Sequence, residues 1–253
     1  YQLSGLEGAP VVTLAHGLAT DLTMWDFVVP RLEKHYRVLR YDSRGHGGSP
    51  ATADNFTLDG LGLDVIGLLD SLKIERTHFV GLSMGGMVGM GLALDRPERL
   101  SSLVVCDARG DAPQAYRDSW NDRIALVRAN GIEAIVEPTL ARWFTDAFKA
   151  REDGMKFMRD MVLRTSVDGF IGSAEALKEL DYARRLPEMT LPTLFLVGGE
   201  DAGAPPATMR TMHEATPGSS FVEIAGAGHI SAVEQPEAVA AAVLEFLNRT
   251  TER

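Results

Sequence analysis

The sequence predicts an α/β fold, with a mostly parallel central sheet flanked by helices and a helical cap inserted into it. Three observations carry this expectation. Short apolar, β-branched runs recur along the chain and read as strands buried on both faces. Segments with helical periodicity lie between them. Between residues 109 and 187 the alternation stops, and only helical patterns remain.

Taken in order, the expected strands are residues 11–15, 38–41, 78–82, 103–106, 194–197 and 221–224. Residues 58–72 place Leu58, Leu61, Val65, Leu68, Leu69 and Leu72 on one helical stripe. Residues 84–94 are apolar nearly all round, as a helix buried against a sheet would be. Residues 234–247 open with Glu-Gln-Pro, a good first helical turn, and continue through small and apolar residues. The helical stretch in the middle is expected to break at Gly131, Pro138, Gly154 and Gly169. Its Met155, Met158 and Met161, at helical spacing, read as a core stripe. This divides the chain into a core, residues 1–108 and 188–253, and a cap, residues 109–187.

Charge separates the two units. Residues 109–186 hold 13 of the 25 Lys and Arg and 13 of the 35 Asp and Glu, so the remainder carries the whole net charge of −10. That charge argues against nucleic acid and anionic membrane surfaces as partners. No stretch approaches the roughly 20 apolar residues of a membrane span, and the first residues show no basic and apolar pattern of a signal peptide. The single cysteine, Cys106, excludes an internal disulfide and suits a reducing compartment such as the cytoplasm. No His, Cys and Asp cluster has metal-ligand spacing.

Gly81-Leu82-Ser83-Met84-Gly85 fits G-x-S-x-G, directly after an expected strand and before an expected helix. In that context the motif is a sharp turn with the serine hydroxyl raised at a helix N-terminus. A serine needs a base. Of the six histidines, His229 alone follows Ser83 on a loop at the end of a strand, while His213 falls in a helical pattern. The base needs an orienting carboxylate. Asp201, in the loop after strand 194–197, gives the order Ser83, Asp201, His229; the adjacent Glu200 and Asp107, at the end of the preceding strand, are rivals. Acyl transfer also needs oxyanion donors. The Met84 amide follows the serine, and the Leu18 amide lies in the His16-Gly17-Leu18 loop after the first strand. The loop Asp42-Ser43-Arg44-Gly45-His46-Gly47-Gly48-Ser49 also follows a strand, but lacks a phosphate cradle's Lys-Ser/Thr. It reads as structural, held by local hydrogen bonds and an ion pair.

Together these residues resemble the α/β-hydrolase superfamily over nearly the whole chain, and the resemblance implies the α/β-hydrolase fold. Serine at the turn separates it from branches that use aspartate there. Within the cap, Ser119 to Arg123, Val127 to Gly131, Ala141 to Thr145, Phe148 and the stretch 169–181 look like 3-oxoadipate enol-lactone hydrolases, as does the ending Gly228 to Pro236. That family commonly has Ala before the base and Thr before the paired prolines; here Gly228 and Ala204 stand there. The resemblance implies a serine hydrolase of esters or lactones that needs no cofactor, and most specifically hydrolysis of 3-oxoadipate enol-lactone. Its small-molecule substrate would carry a carboxylate. Arg142 is the expected cation for it, with Arg123 and Lys149 in reserve. Trp143 and Trp25 are expected substrate contacts, although tryptophans, Trp120 among them, more often pack. A general carboxylesterase, a C–C bond hydrolase and a non-enzymatic ligand receptor on the same fold remain open alternatives.

Overall fold

The structure is a computed structural model and describes residues 1–52 and 56–251. Among the described residues the strands are β1 (Gln2–Gly5), β2 (Val11–Ala15), β3 (Arg37–Arg40), β4 (Thr77–Leu82), β5 (Leu100–Cys106), β6 (Thr193–Gly198) and β7 (Ser220–Ile224). They form one sheet in the order β1-β3-β2-β4-β5-β6-β7. β1 pairs antiparallel with β3, and every other pairing is parallel.

The helices are α1 (Val29–Leu32), α2 (Leu58–Ser71), α3 (Met84–Asp95), α4 (Gln114–Asn130), α5 (Glu133–Trp143), α6 (Asp146–Lys149), α7 (Glu152–Leu163), α8 (Val167–Lys178), α9 (Pro206–Ala215), α10 (Ser231–Glu234) and α11 (Pro236–Thr251). Thus α4 to α8 all lie between β5 and β6 and form a helical insert. Because β2 and β4 to β7 run parallel, their C-terminal ends share one edge of the sheet. In open parallel sheets that edge is where ligands bind.

The core strands β4 and β6 are buried at every position, as continuous apolar runs between two helical layers should be. α3 is buried from Met84 to Ala93, which explains why its sequence has no polar face. In α7, Met158 and Met161 are fully buried and Met155 packs against them from a partly buried position.

Four details differ from expectation. β1 is an additional strand: with one strong apolar residue, Leu3, and half-exposed positions, this edge strand is held by pairing with β3 rather than by burial. α5 runs through Pro138, giving up one backbone bond instead of breaking. Gly154 and Gly169 sit in the first turns of α7 and α8, where amides have no intrahelical partner anyway, so neither is a break; only Gly131 ends a helix, α4. The final helix starts at Pro236, and Glu234 instead closes the short α10.

The insert is tied to the sheet edge by polar contacts. Arg164 donates two bonds to Asp21, at 2.9 and 2.6 Å. The Ser166 amide and hydroxyl both donate to the Gly45 carbonyl, at 3.1 and 2.9 Å. The Tyr182 hydroxyl donates to Asp59 at 3.2 Å. Among the described residues no helix is long and apolar enough to cross a membrane.

Candidate active site

Ser83 sits on the turn between β4 and α3 with φ 53° and ψ −115°, a strained conformation for a residue with a Cβ. The turn closes only because its flanks are small. A Cβ on Gly81 would lie 2.2 Å from the Gly85 carbonyl oxygen, and one on Gly85 would lie 2.4 Å from that of Ala15. The Ser83 amide donates to the Cys106 carbonyl at 2.8 Å, which fixes the turn against β5.

His229 lies on the loop after β7, with its Nε2 3.0 Å from the Ser83 hydroxyl. Its Nδ1 faces both Asp201 oxygens, at 2.8 and 3.0 Å. Asp201, on the loop after β6, also accepts the amides of Gly203 at 2.6 Å and Ala204 at 3.0 Å on Oδ1. Burial pushes the Asp201 carboxyl up, but the neighbouring His229 and the two amides outweigh it and hold the group below the usual carboxylate range. The aspartate is therefore an anion at neutral pH, placed to fix the ring with its proton on Nδ1 and its Nε2 lone pair toward Ser83.

Neither rival acid bonds the His229 ring, whose Nδ1 faces Asp201. Glu200 is exposed. Asp107 is fully buried at the end of β5, with φ 49°. Its Oδ1 accepts the Gly198 amide at 2.7 Å, and its Oδ2 accepts the Ser231 hydroxyl. Burial and the charge of Asp201 push its carboxyl well above the usual range, against the bonds it accepts from Ser231 and Gly198. Its bonds tie β5 to β6 and to the helix that follows His229.

A cavity opens above Ser83 and His229. Leu18 and Met87 line its floor, and Arg123, Arg142, Trp143 and Phe170 come from the insert. Arg142 and Trp143 therefore lie where the sequence places them. Trp25 does not: it is fully buried in the core and absent from the cavity lining, because the turn Leu22–Trp25 directs it inward. Lys149 pairs with Asp146 at 3.1 Å and is also absent from the lining. Arg123 stacks 4.6 Å over the Trp120 ring. Among the described residues neither Arg123 nor Arg142 forms an ion pair with a carboxylate, although both stand partly buried. Burial and the charge of Arg142 pull the Arg123 guanidinium down to about 10, and burial lowers Arg142 as well. Both remain cations at neutral pH, and their repulsion would be relieved by an anion.

The loop after β3 holds itself together as expected through Asp42, which accepts the Gly48 amide and, on its carbonyl, the Ser49 hydroxyl, both at 2.8 Å; its other carboxylate oxygen reaches outside the loop to the Leu22 amide at 2.8 Å. Its ion pair is not internal: Arg44 reaches out to Asp64 on α2, with bonds of 2.7 and 2.5 Å. Among the described residues there is no group of three or more His, Cys, Asp or Glu that could hold a metal ion.

Sequence reasoning missed Glu234. Its buried carboxylate accepts the Gly228 amide at 2.8 Å, the Thr145 amide at 3.1 Å and the Thr145 hydroxyl. The His229 amide donates in turn to the Trp143 carbonyl at 2.7 Å. A Cβ at position 228 would lie 2.3 Å from that carbonyl, so glycine before His229 lets the insert's backbone come into contact. The signal lay in the five-residue spacing from His229, hidden because Glu234 also suits a helix start. Glu234→Gln puts an N–H₂ group where an acceptor of amide protons is needed. A buried bond to a charged group is worth about 1.5–3 kcal/mol, and each kcal/mol shifts Tm by about 2–4 °C at this size. The expected result is a Tm lower by about 3–12 °C; an unchanged melting curve would show that the bridge contributes nothing.

A strand–serine–helix turn, a hydrogen-bonded Ser-His-Asp chain and a helical insert above it define the class. The chain belongs to the alpha/beta hydrolase fold family, whose model matches residues 10–236. It is 36% identical over 237 residues to 3-oxoadipate enol-lactonase 1 of Acinetobacter baylyi, covering 93% of this chain and 88% of that one. Among solved structures it resembles the enol-lactonase from Burkholderia xenovorans at a TM-score of 0.94 and 36% identity, covering 98% and 95%. It also resembles a thermophilic esterase from Thermogutta terrifontis, solved with malate bound, at a TM-score of 0.92 and 32% identity, covering 98% and 92%.

Proposed function

We propose that this protein is a serine hydrolase of carboxylic esters and lactones whose preferred substrate is an enol-lactone bearing a carboxylate, 3-oxoadipate enol-lactone or a close analogue. The observation that carries the reading is the Ser83–His229–Asp201 hydrogen-bonded chain beneath a cavity holding two arginines without acid partners. The similarity to enol-lactonases supports the same substrate class. The esterase solved with malate supports a carboxylate-bearing ligand.

In this mechanism His229 Nε2 accepts the Ser83 proton as Oγ attacks the lactone carbonyl. The Leu18 and Met84 amides hold the oxyanion. Collapse of the tetrahedral intermediate breaks the ring C–O bond, and the enol oxygen leaves with the proton from His229, then tautomerises to the ketone. Water loses a proton to His229, attacks the acyl-enzyme and releases the acid. No step uses a cofactor. The insert acts as the cap that closes this chamber, residues 109–187 over a core of 1–108 and 188–253, and the protein works in the cytoplasm, where its single buried thiol stays reduced.

Arg142 provides the test of substrate class. A charge-assisted bond is worth roughly 1.5–3 kcal/mol, or about 10- to 150-fold in kcat/KM. Arg142→Ala is expected to weaken turnover of a carboxylated enol-lactone by that factor and to leave p-nitrophenyl acetate nearly unchanged. Arg142→Lys recovers only part, since a point charge lacks the planar fork. Equal loss on both substrates would give Arg142 a structural role. No loss on either would move the task to Arg123 or make the protein a general carboxylesterase. A slow, single-turnover signal from the wild type would favour a receptor.

A further inference from the structure

Two buried histidines stand behind the loop that carries Leu18, and the chemistry above uses neither. His16 and His46 are fully buried, with ring centroids 5.2 Å apart. Each ring joins two loops. His16 Nε2 accepts the Ser43 amide at 2.9 Å, which places its ring proton on Nδ1, 2.7 Å from the Gly17 carbonyl oxygen. His46 Nε2 accepts the Ala19 amide at 3.1 Å, and its Nδ1–H faces the Arg44 carbonyl at 3.1 Å. Burial keeps both rings neutral. It brings His46 down to about 3, since a proton there would also be repelled by one on His16, and it lowers His16 against the pull of the Gly17 carbonyl and Asp42.

The Gly17 carbonyl receives three donors: the His16 Nδ1–H, the Thr20 hydroxyl at 2.8 Å and the Thr20 amide at 3.3 Å. In a planar trans peptide the carbonyl and the following N–H point in opposite directions. Holding the Gly17 carbonyl toward His16 and Thr20 therefore turns the Leu18 N–H to the other side. Among the described residues that N–H has no partner within the protein, and Leu18 lines the cavity together with Ser83. The next residue, Ala19, has φ 60°, a left-handed conformation that costs energy when a Cβ is present, and the bond to His46 holds it there.

We propose that His16, acting with Thr20 and His46, is a positioning residue of the oxyanion hole: it locks the Gly17–Leu18 peptide so that an N–H, and not a carbonyl, faces the developing oxyanion. A flipped peptide would present the negative end of the dipole to the intermediate. The inference rests on the reading of Ser83 as nucleophile and Leu18 as donor. It extends that reading to groups that never touch substrate.

The test compares His16→Leu, His16→Asn and Thr20→Val with the wild type in p-nitrophenyl acetate turnover and in affinity for phenylboronic acid, which forms a tetrahedral adduct on a reactive serine. One misplaced oxyanion donor is worth about 10²–10³-fold in kcat. His16→Leu is expected to lose about 10²-fold in kcat with little change in KM, and to weaken boronate binding by a comparable factor. In His16→Asn the amide nitrogen can take the place of Nδ1 and recover most of both. Thr20→Val removes one donor at constant shape, and about fivefold is expected in both readouts. It decides the matter if His16→Leu does not fold. A folded His16→Leu or a Thr20→Val with normal kcat and boronate affinity would overturn the proposal. So would a kcat loss with unchanged boronate affinity, which a merely structural role produces. Labelling of Ser83 by a fluorophosphonate separates the two readings. A wild type that neither turns over ester nor labels fails at Ser83 itself and takes this inference with it. A wild type that labels, beside variants that label equally fast, sinks the positioning role alone.

Discussion

Ser83→Ala is expected to abolish multiple turnover of every ester and lactone the wild type hydrolyses, with a loss on the order of 10⁴- to 10⁶-fold in kcat. The substitution removes the single atom that bonds His229 Nε2 at 3.0 Å and leaves no other hydroxyl in its place. The fold should not suffer. Ser83 is a small residue on a turn whose closure depends on Gly81 and Gly85, and alanine keeps the same backbone demands. A melting curve near that of the wild type, together with retained binding of a carboxylated ligand, separates lost chemistry from lost structure. Retention of even a tenth of the activity would rule out a serine acyl-enzyme.

The second large effect distinguishes two buried aspartates. Asp201→Asn should cost about 10⁴-fold in kcat, the loss found in a well-studied triad. Oδ1 of Asp201 is held by the amides of Gly203 and Ala204, so the amide nitrogen of asparagine must take the place of Oδ2, facing His229 Nδ1. A donor there selects the ring tautomer with its proton on Nε2, and that nitrogen cannot accept a proton from Ser83. Asp107→Asn should cost less than about tenfold. The substitution leaves the His229–Asp201 contact untouched: the oxygen still accepts the Gly198 amide, and the nitrogen can donate to the Ser231 hydroxyl while giving up the bond from the Ser231 amide. Steady-state kinetics of the two variants at one pH decides between them. A greater loss from Asp107→Asn would move the acid one strand earlier.

What could be read from the sequence follows from how local each signal is. The turn around Ser83 is five residues whose identities are dictated by close backbone contact, so it was legible without any knowledge of neighbours. Asp201 and His229 were legible as the titratable groups that end the last two strands, and the structure places them within hydrogen-bond reach of one another and of Ser83. The edge strand β1 was not legible, because its bonds go to β3, more than thirty residues away, and its side chains carry almost no pattern. Partner choice also escaped. Nothing local tells that Arg44 reaches α2, or that Glu234 serves the insert and the His229 loop at once. Trp25 misled for the opposite reason: an aromatic near the first strand suits a cavity wall and a core equally well, and only the direction of a short turn decides.

The backbone bond from the His229 amide to the Trp143 carbonyl has a consequence for traffic through the chamber. A swing of α5 away from the sheet edge would break that bond and pull on the Glu234 bridge to Gly228 and Thr145, releasing the loop that carries the base. On the proposed mechanism such an opening and catalysis would exclude one another, because the loop that carries His229 would lose its anchor whenever α5 moved away. Ligand exchange would then use side-chain motion in the cavity walls, or brief openings during which the proposed reaction stops. Hydrogen exchange at the single His229 amide would report how often that bond is open.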